Sequence, residues 1–212
     1  MNKLKIIVKK TGKYLREISV VVIGVAITLF ASYWISIKSE KRDMALYLNA
    51  LKMELEENMK VIDDVKEYSQ PSVRYANYLK SHDKKSLNAD TIKSYTKVFY
   101  TVQSFTFKTN AFEMFKTSGI MRLVDDKELL LSIWDVYNNI DILQKFLDRA
   151  YQEKYDEMKK EVLSAEQGKS KMKDAPMHFF YATTYPVEML RASEEILKQS
   201  KEVVLKLEST KP

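Results

Sequence analysis

Residues 18–37, ISVVVIGVAITLFASYWISI, run for 20 positions with no charged side chain and no proline. A helix rising about 1.5 Å per residue covers roughly 30 Å in that length, the thickness of a bilayer's hydrocarbon core. A buried core helix seldom runs so far without a charged group. A cleaved signal peptide needs small residues at positions −3 and −1 of its cut. Cuts after Ala31 or Ser32 would put Leu29 or Phe30 at the first of these. The stretch therefore reads as an uncleaved membrane anchor, with Tyr33 and Trp34 near its end where an aromatic belt meets the interface.

The flanks predict orientation. Lys3, Lys5, Lys9, Lys10, Lys13 and Arg16 precede the span with Glu17 as their only acidic neighbour. Downstream, Lys38, Lys41 and Arg42 are interleaved with Glu40 and Asp43. The Lys/Arg asymmetry places the N-terminus in the cytoplasm. The expected division is a basic cytoplasmic tail (1–17), a transmembrane signal anchor (18–37) and an extracytoplasmic helical domain (38–212). In a Gram-negative cell this is a single-pass inner-membrane protein with its bulk in the periplasm. Leu4, Ile7, Val8, Leu15 and Ile18 fall at roughly helical spacing, which suits a segment lying on lipid. An ordinary basic flank explains them more simply. Within the span Gly24, Thr28, Ser32 and Ser36 recur every four residues. Such a small-residue stripe permits close helix–helix approach, although chance alignment explains it as well.

Most of the cationic excess of the chain, 35 Lys and Arg against 29 Asp and Glu, sits in that tail. The body is nearly balanced, which argues against the cationic face that nucleic acid needs, and none is expected as a partner. With only 4 Gly and 4 Pro there is little material for the turns of an all-β fold. The absence of Cys excludes disulfides, thiol catalysis and Cys-ligated metal.

The body reads as all-α. Neither Gly nor Pro occurs from residue 25 to 70, so the membrane helix is expected to continue unbroken into the body. Residues 18–69 would then form a helix of roughly 52 residues, or about 78 Å. Leu48, Leu51, Leu55, Ile62 and Val65 keep a/d spacing, with Asn58 among them as a residue that either fixes register or faces solvent. Pro71 is expected to end this helix, with a short amphipathic helix over 72–82. Asn88 or Asp90 is a candidate cap for the next helix. Residues 104–109, SFTFKT, alternate at Phe105 and Phe107 and are too short to assign as strand or linker. Asn110 with Glu113, and Asp125 with Glu128, have capping-box spacing. Gly119 suits the left-handed stop of a short helix.

Leu130, Ile133, Tyr137, Ile140, Leu147, Tyr151, Met158 and Ala165 form a 3-4 repeat interrupted by Gln144 and Lys154, closed by Gly168. Residues 169–174 read as a loop, and Pro176 and Pro186 suit first helical turns. Leu190, Leu197, Val204 and Leu207 stripe the last helix. The expectation is a bundle with three long helices (38–69, 126–167 and 186–208) and several short ones.

KYLREISVVVIGVAITLFASYW (13–34), LNALKMELEEN (48–58) and FEMFKTSGIMRLVDDKELLLSIWDVY (112–137) resemble an uncharacterised family of single-pass membrane proteins from Bacteroidetes-type bacteria. The likeness covers about two-thirds of the chain by order of segments. After the span the family usually has a Gln-Ile-Asn-like stretch leading to Trp-Asn, where this chain has SYWISIKSEK. The resemblance implies a membrane anchor with an extracytoplasmic helical domain, and no catalytic residues.

Signatures of chemistry are few. Neither His82 nor His178 lies in H-E-x-x-H or follows a Glu at the di-iron spacing. No nucleophile elbow, Walker loop or dinucleotide fingerprint is present. The doublets Glu56/Glu57, Asp63/Asp64, Asp125/Asp126 and Glu194/Glu195 do not share a helix face, so they read as solvated surface. Two aromatic clusters are either bundle core or a partner surface or pocket. One contains Tyr95, Phe99, Tyr100, Phe105, Phe107, Phe112 and Phe115; the other contains His178, Phe179, Phe180, Tyr181 and Tyr185. Phe105, Phe107, Phe179, Phe180 and Tyr181 are the candidates for contact. No cofactor is expected. The leading expectation is a non-enzymatic, membrane-tethered module that binds or scaffolds another envelope protein or self-associates. The alternative is a ligand-sensing helical domain that signals through a membrane partner.

Overall fold

The computed structural model describes residues 2–82, 88, 90, 91, 94, 95, 101–166 and 185–209. The described residues are mostly helical and contain no strand. Helix α1 covers Asn2–Ser81, α2 Asn110–Thr117, α3 Lys127–Glu166 and α4 Tyr185–Ser209, with a 3-10 turn over Ile120–Leu123. The chain divides into two compact units, one ending at Leu46 and one beginning at Tyr47.

The first unit is the N-terminal part of α1. It has no non-helical residue between Ile35 and Met44, where a gap would have refuted the expected continuity. Among the described residues one helix is long and apolar enough to cross a membrane, and none of its most apolar window is buried.

In the second unit α1, α3 and α4 enclose the core. Leu48, Leu51, Leu55, Ile62 and Val65 are all buried, as their spacing predicts. Directions follow from cross-helix contacts. Glu54 meets Tyr137 and Tyr68 meets Lys154, so α1 and α3 run parallel. Ser132 meets Lys206, Asn139 meets Gln199 and Glu153 meets Tyr185, so α4 runs antiparallel to α3. Lys52 of α1 pairs with Glu208 of α4 at 2.7 Å.

Pro71 does not end the first helix, contrary to expectation; α1 passes through it to Ser81. A proline inside a helix costs about 3 kcal/mol through the lost N–H and the clash with the preceding turn. Packing on both sides offsets that. Val65 and Ser69 are buried before it, and Ser72, Tyr75 and Ala76 after it. The Tyr75 ring meets Tyr95 at 4.9 Å between centroids. The helix stops where Ser81 Oγ donates to the Tyr78 carbonyl and His82 Nδ1 lies 3.0 Å from the same oxygen. Asn88 is the cap of the following turn, its side-chain oxygen accepting from the Asp90 and Thr91 amides at 2.8 and 3.2 Å.

Three further details differ from local expectation. The cap of α3 is Asp126 rather than Asp125, with Asp126 Oδ1 accepting from Leu129 N at 2.9 Å. The buried stripe of α3 is Leu129, Ile133, Val136, Ile140, Leu143 and Leu147, while Leu130 is half-buried and Tyr151 exposed. Tyr137 is buried as expected, but beside this stripe. On α4 the fully buried positions include Ser193 and Ser200, seven residues apart. Their small side chains fit the close passage of α4, although their hydroxyls find no partner among the described residues. Gly119 does adopt the left-handed conformation expected of it, at φ 74. The expected closure at Gly168, the 169–174 loop and Pro176 lie outside the described residues.

Candidate functional site

Residues 101–109 have no helical or strand structure, yet Phe105 and Phe107 are each only 7% exposed. An extended backbone entering a core must find partners for its amides. Helices α1 and α3 supply them from side chains. Asn58 of α1 is fully buried; its Nδ2 donates to the Lys108 carbonyl and its Oδ1 accepts from Lys108 N, both at 2.8 Å. Gln144 of α3 donates through Nε2 to the Phe105 carbonyl and accepts from Phe107 N, both at 2.9 Å. The two polar interruptions in otherwise apolar stripes are thus two amide clasps on one extended segment. Lys108 also pairs with Glu57, whose carboxyl it holds below its ordinary range.

The next turn is clasped by a carboxylate. Asn110 does not cap α2: the cap position falls at Thr109, which makes no side-chain cap bond. Glu54 of α1, 6% exposed, takes that role from outside, accepting from Ala111 N at 2.7 Å and Phe112 N at 3.2 Å. Its Oε1 also accepts from the Tyr137 hydroxyl at 2.8 Å. A carboxylate at a helix N-terminus meets both free amides and the positive end of the helix dipole. Burial, with the Glu54 hydrogen bond and charge adding to it, raises the Tyr137 hydroxyl far above its usual range, so it stays a donor. Phe112 stacks on Tyr137 at 4.2 Å and meets Trp134 edge-on at 5.6 Å. Lys116 lies over both the Phe112 and Trp134 rings.

At the other end of the segment, the Thr101 carbonyl accepts from Tyr68 OH at 2.8 Å and from Lys154 Nζ at 2.6 Å. Lys154 Nζ also lies 3.0 Å from the Tyr68 oxygen. Burial lowers the Lys154 ammonium to about 8 and raises the Tyr68 hydroxyl. Below about pH 8 folded and unfolded chains both hold the Lys154 proton, and the buried charge weakens the fold. Between about 8 and 10.5 the unfolded chain binds the proton more strongly, so stability rises with pH. From pH 7 to 9.5 Lys154 is expected to add on the order of 1–2 kcal/mol, discounted because the side chain keeps some water contact. Urea midpoints at both pH values should show this gain in the native chain and not in Lys154→Met.

The other sequence-predicted residues are placed as follows. Gly24, Thr28, Ser32 and Ser36 are all exposed on α1, and Thr28 Oγ1 donates to the Gly24 carbonyl at 2.9 Å. Tyr33 and Trp34 are also exposed. Phe105 and Phe107 are core residues, the first packing edge-on against Tyr68 at 5.5 Å. Phe179, Phe180, Tyr181 and His178 lie outside the described residues. His82 finishes α1 and meets the Tyr78 ring at 4.4 Å. Among the acidic doublets, Glu56 and Asp63 pair with Lys52 and Lys66, and Asp126 caps α3. No three His, Asp or Glu gather as a metal set among the described residues.

Sequence reasoning missed Glu54 and Tyr68. Glu54 had a readable signal, since it shares the buried face of α1 with Leu51, Leu55 and Asn58. No family model, curated protein or solved structure matches the chain.

Proposed function

We propose that this protein is a non-enzymatic, membrane-anchored helical module that binds or scaffolds another envelope protein or self-associates. The observation that carries the reading is the run of exposed apolar side chains on α1. Ile18, Val20, Val21, Val22, Ile23, Val25, Ile27, Leu29, Phe30, Tyr33, Trp34 and Ile35 are each more than half exposed. Such a surface far exceeds the patches that soluble monomers leave in water, and lipid is the solvent that suits it. The anchor occupies residues 18–37, and the lysine-rich side stays in the cytoplasm by the positive-inside rule. The body is then periplasmic in a Gram-negative inner membrane, in keeping with the Bacteroidetes-type family the chain resembles. Its helices hold one another through buried apolar stripes and polar clasps, which suits a scaffold.

Two measurements test this. A reporter active only outside the cytoplasm, fused after Pro212, is expected to be active, and a cytoplasmic reporter silent; the reverse pattern overturns the orientation. Gentle solubilisation followed by co-purification is expected to recover a stoichiometric polypeptide partner or a homo-oligomer. A monomer with no polypeptide partner overturns the scaffold reading.

A further inference from the structure

The groove between α1 and α3 holds residues 101–109 in the way a receptor holds a peptide. Asn58 takes both the N–H and the carbonyl of Lys108, and Gln144 takes the Phe107 N–H and the Phe105 carbonyl. These four bonds address main chain alone, so they are indifferent to the side chains of whatever lies there. Selectivity is left to the alternation, with Phe105 and Phe107 buried and Ser104, Thr106 and Lys108 exposed. This is the division of labour of extended-peptide recognition, where main-chain bonds supply affinity and alternate side chains supply specificity.

We propose that this groove is a docking site for an extended segment of a partner polypeptide with aromatic side chains two residues apart, and that residues 101–109 fill it in cis as an autoinhibitory strap. The proposal rests on the reading of the body as a binding module and names how that binding occurs. The occupant must be a polypeptide, because the clasps need an N–H and a carbonyl at peptide spacing. Opening can stop at Thr109, because α2 is anchored separately by Glu54 and by buried Phe112 and Phe115. Once the strap leaves, water can reach the Asn58 and Gln144 amides, so the clasps oppose opening only by the small net worth of an exchanged hydrogen bond. The clasps and two phenylalanine side chains then hold the strap, against the full stripes that join α1, α3 and α4. The exposed Lys108–Glu57 pair adds little. The Thr101 end is held by Tyr68 and Lys154, whose side chains remain on α1 and α3 when the carbonyl departs.

Native-state hydrogen exchange on the full chain in detergent micelles tests the opening. The Phe107 and Lys108 amides are expected to exchange at least about tenfold faster than those of Leu55 and Ile140. Exchange of all four only through global unfolding overturns the proposal. Binding of a labelled peptide, QSFTFKTN, to the full-length Phe105→Ser/Phe107→Ser variant tests the groove. Saturable binding is expected, weakened at least about tenfold when the peptide lysine is N-methylated and can no longer donate to Asn58. No saturable binding to the folded variant, or indifference to the methyl group, overturns it. If the variant does not fold, the exchange result on the unaltered chain decides. Neither measurement needs the envelope partner, so their failure is distinct from a failed co-purification.

Discussion

Replacing Glu54 by alanine is expected to destabilise the body by about 3–5 kcal/mol, since each buried donor left unpaired costs about 1–3 kcal/mol. Three donors converge on this carboxylate: Ala111 N, Phe112 N and Tyr137 OH. Alanine leaves all of them without an acceptor and removes the cap of α2. Because a domain of ordinary size is stable by only about 5–15 kcal/mol, the loss is a large share of the total. Trp134 provides the readout, since its ring packs on Phe112 of α2. In a Trp34→Phe background of the full chain in micelles, urea unfolding followed by Trp134 fluorescence should show the lowered midpoint. Glu54→Gln keeps the size and one acceptor oxygen, so it should lose about half as much. Equal losses for the two substitutions would show that the carboxylate's charge, rather than its count of acceptors, holds α2.

Asn58→Ala is expected to cost about 2–3 kcal/mol, combining two lost hydrogen bonds with a small cavity at a fully buried site. Gln144→Ala should cost less, on the order of 1–2 kcal/mol, because Gln144 is partly exposed and water can replace it. The same urea titration separates the two. If Asn58→Ala were as mild as a surface change, the Lys108 clasp would contribute no net stability. Asn58→Leu would then be neutral as well, which the clasp reading does not allow.

The large features of this fold are local, and the sequence by itself determined them. An uncharged run of 20 residues makes a helix long and apolar enough to cross a membrane, whatever the rest of the chain does. The spacing of Leu48, Leu51, Leu55, Ile62 and Val65 makes one helix face apolar before any partner exists. Gly119 marks a stop because an L side chain is strained at its φ of 74. The absence of Gly and Pro between residues 25 and 70 anticipated helix across the junction near residue 40.

What only the tertiary structure decided depends on partners far along the chain. Asn58 meets Lys108 at a separation of 50 residues, Glu54 meets Tyr137 at 83 and Tyr68 meets Lys154 at 86. A polar residue on an apolar stripe announces that a partner is needed and cannot say which. Phe105 and Phe107 alternate as they would on a strand edge or in a linker, and α1 and α3 made the difference by offering amides to both edges of that segment. The capping-box spacing at Asn110 is satisfied in the sequence, yet the buried Glu54 supplies the acceptor. Pro71 would end an isolated helix, because nothing local offsets its lost hydrogen bond. It is carried here because burial of Ser72, Tyr75 and Ala76 beyond it outweighs that local cost. Local rules state preferences of one to three kcal/mol at most, and burial against distant helices is of the same size or larger, so packing settles each case where the two disagree.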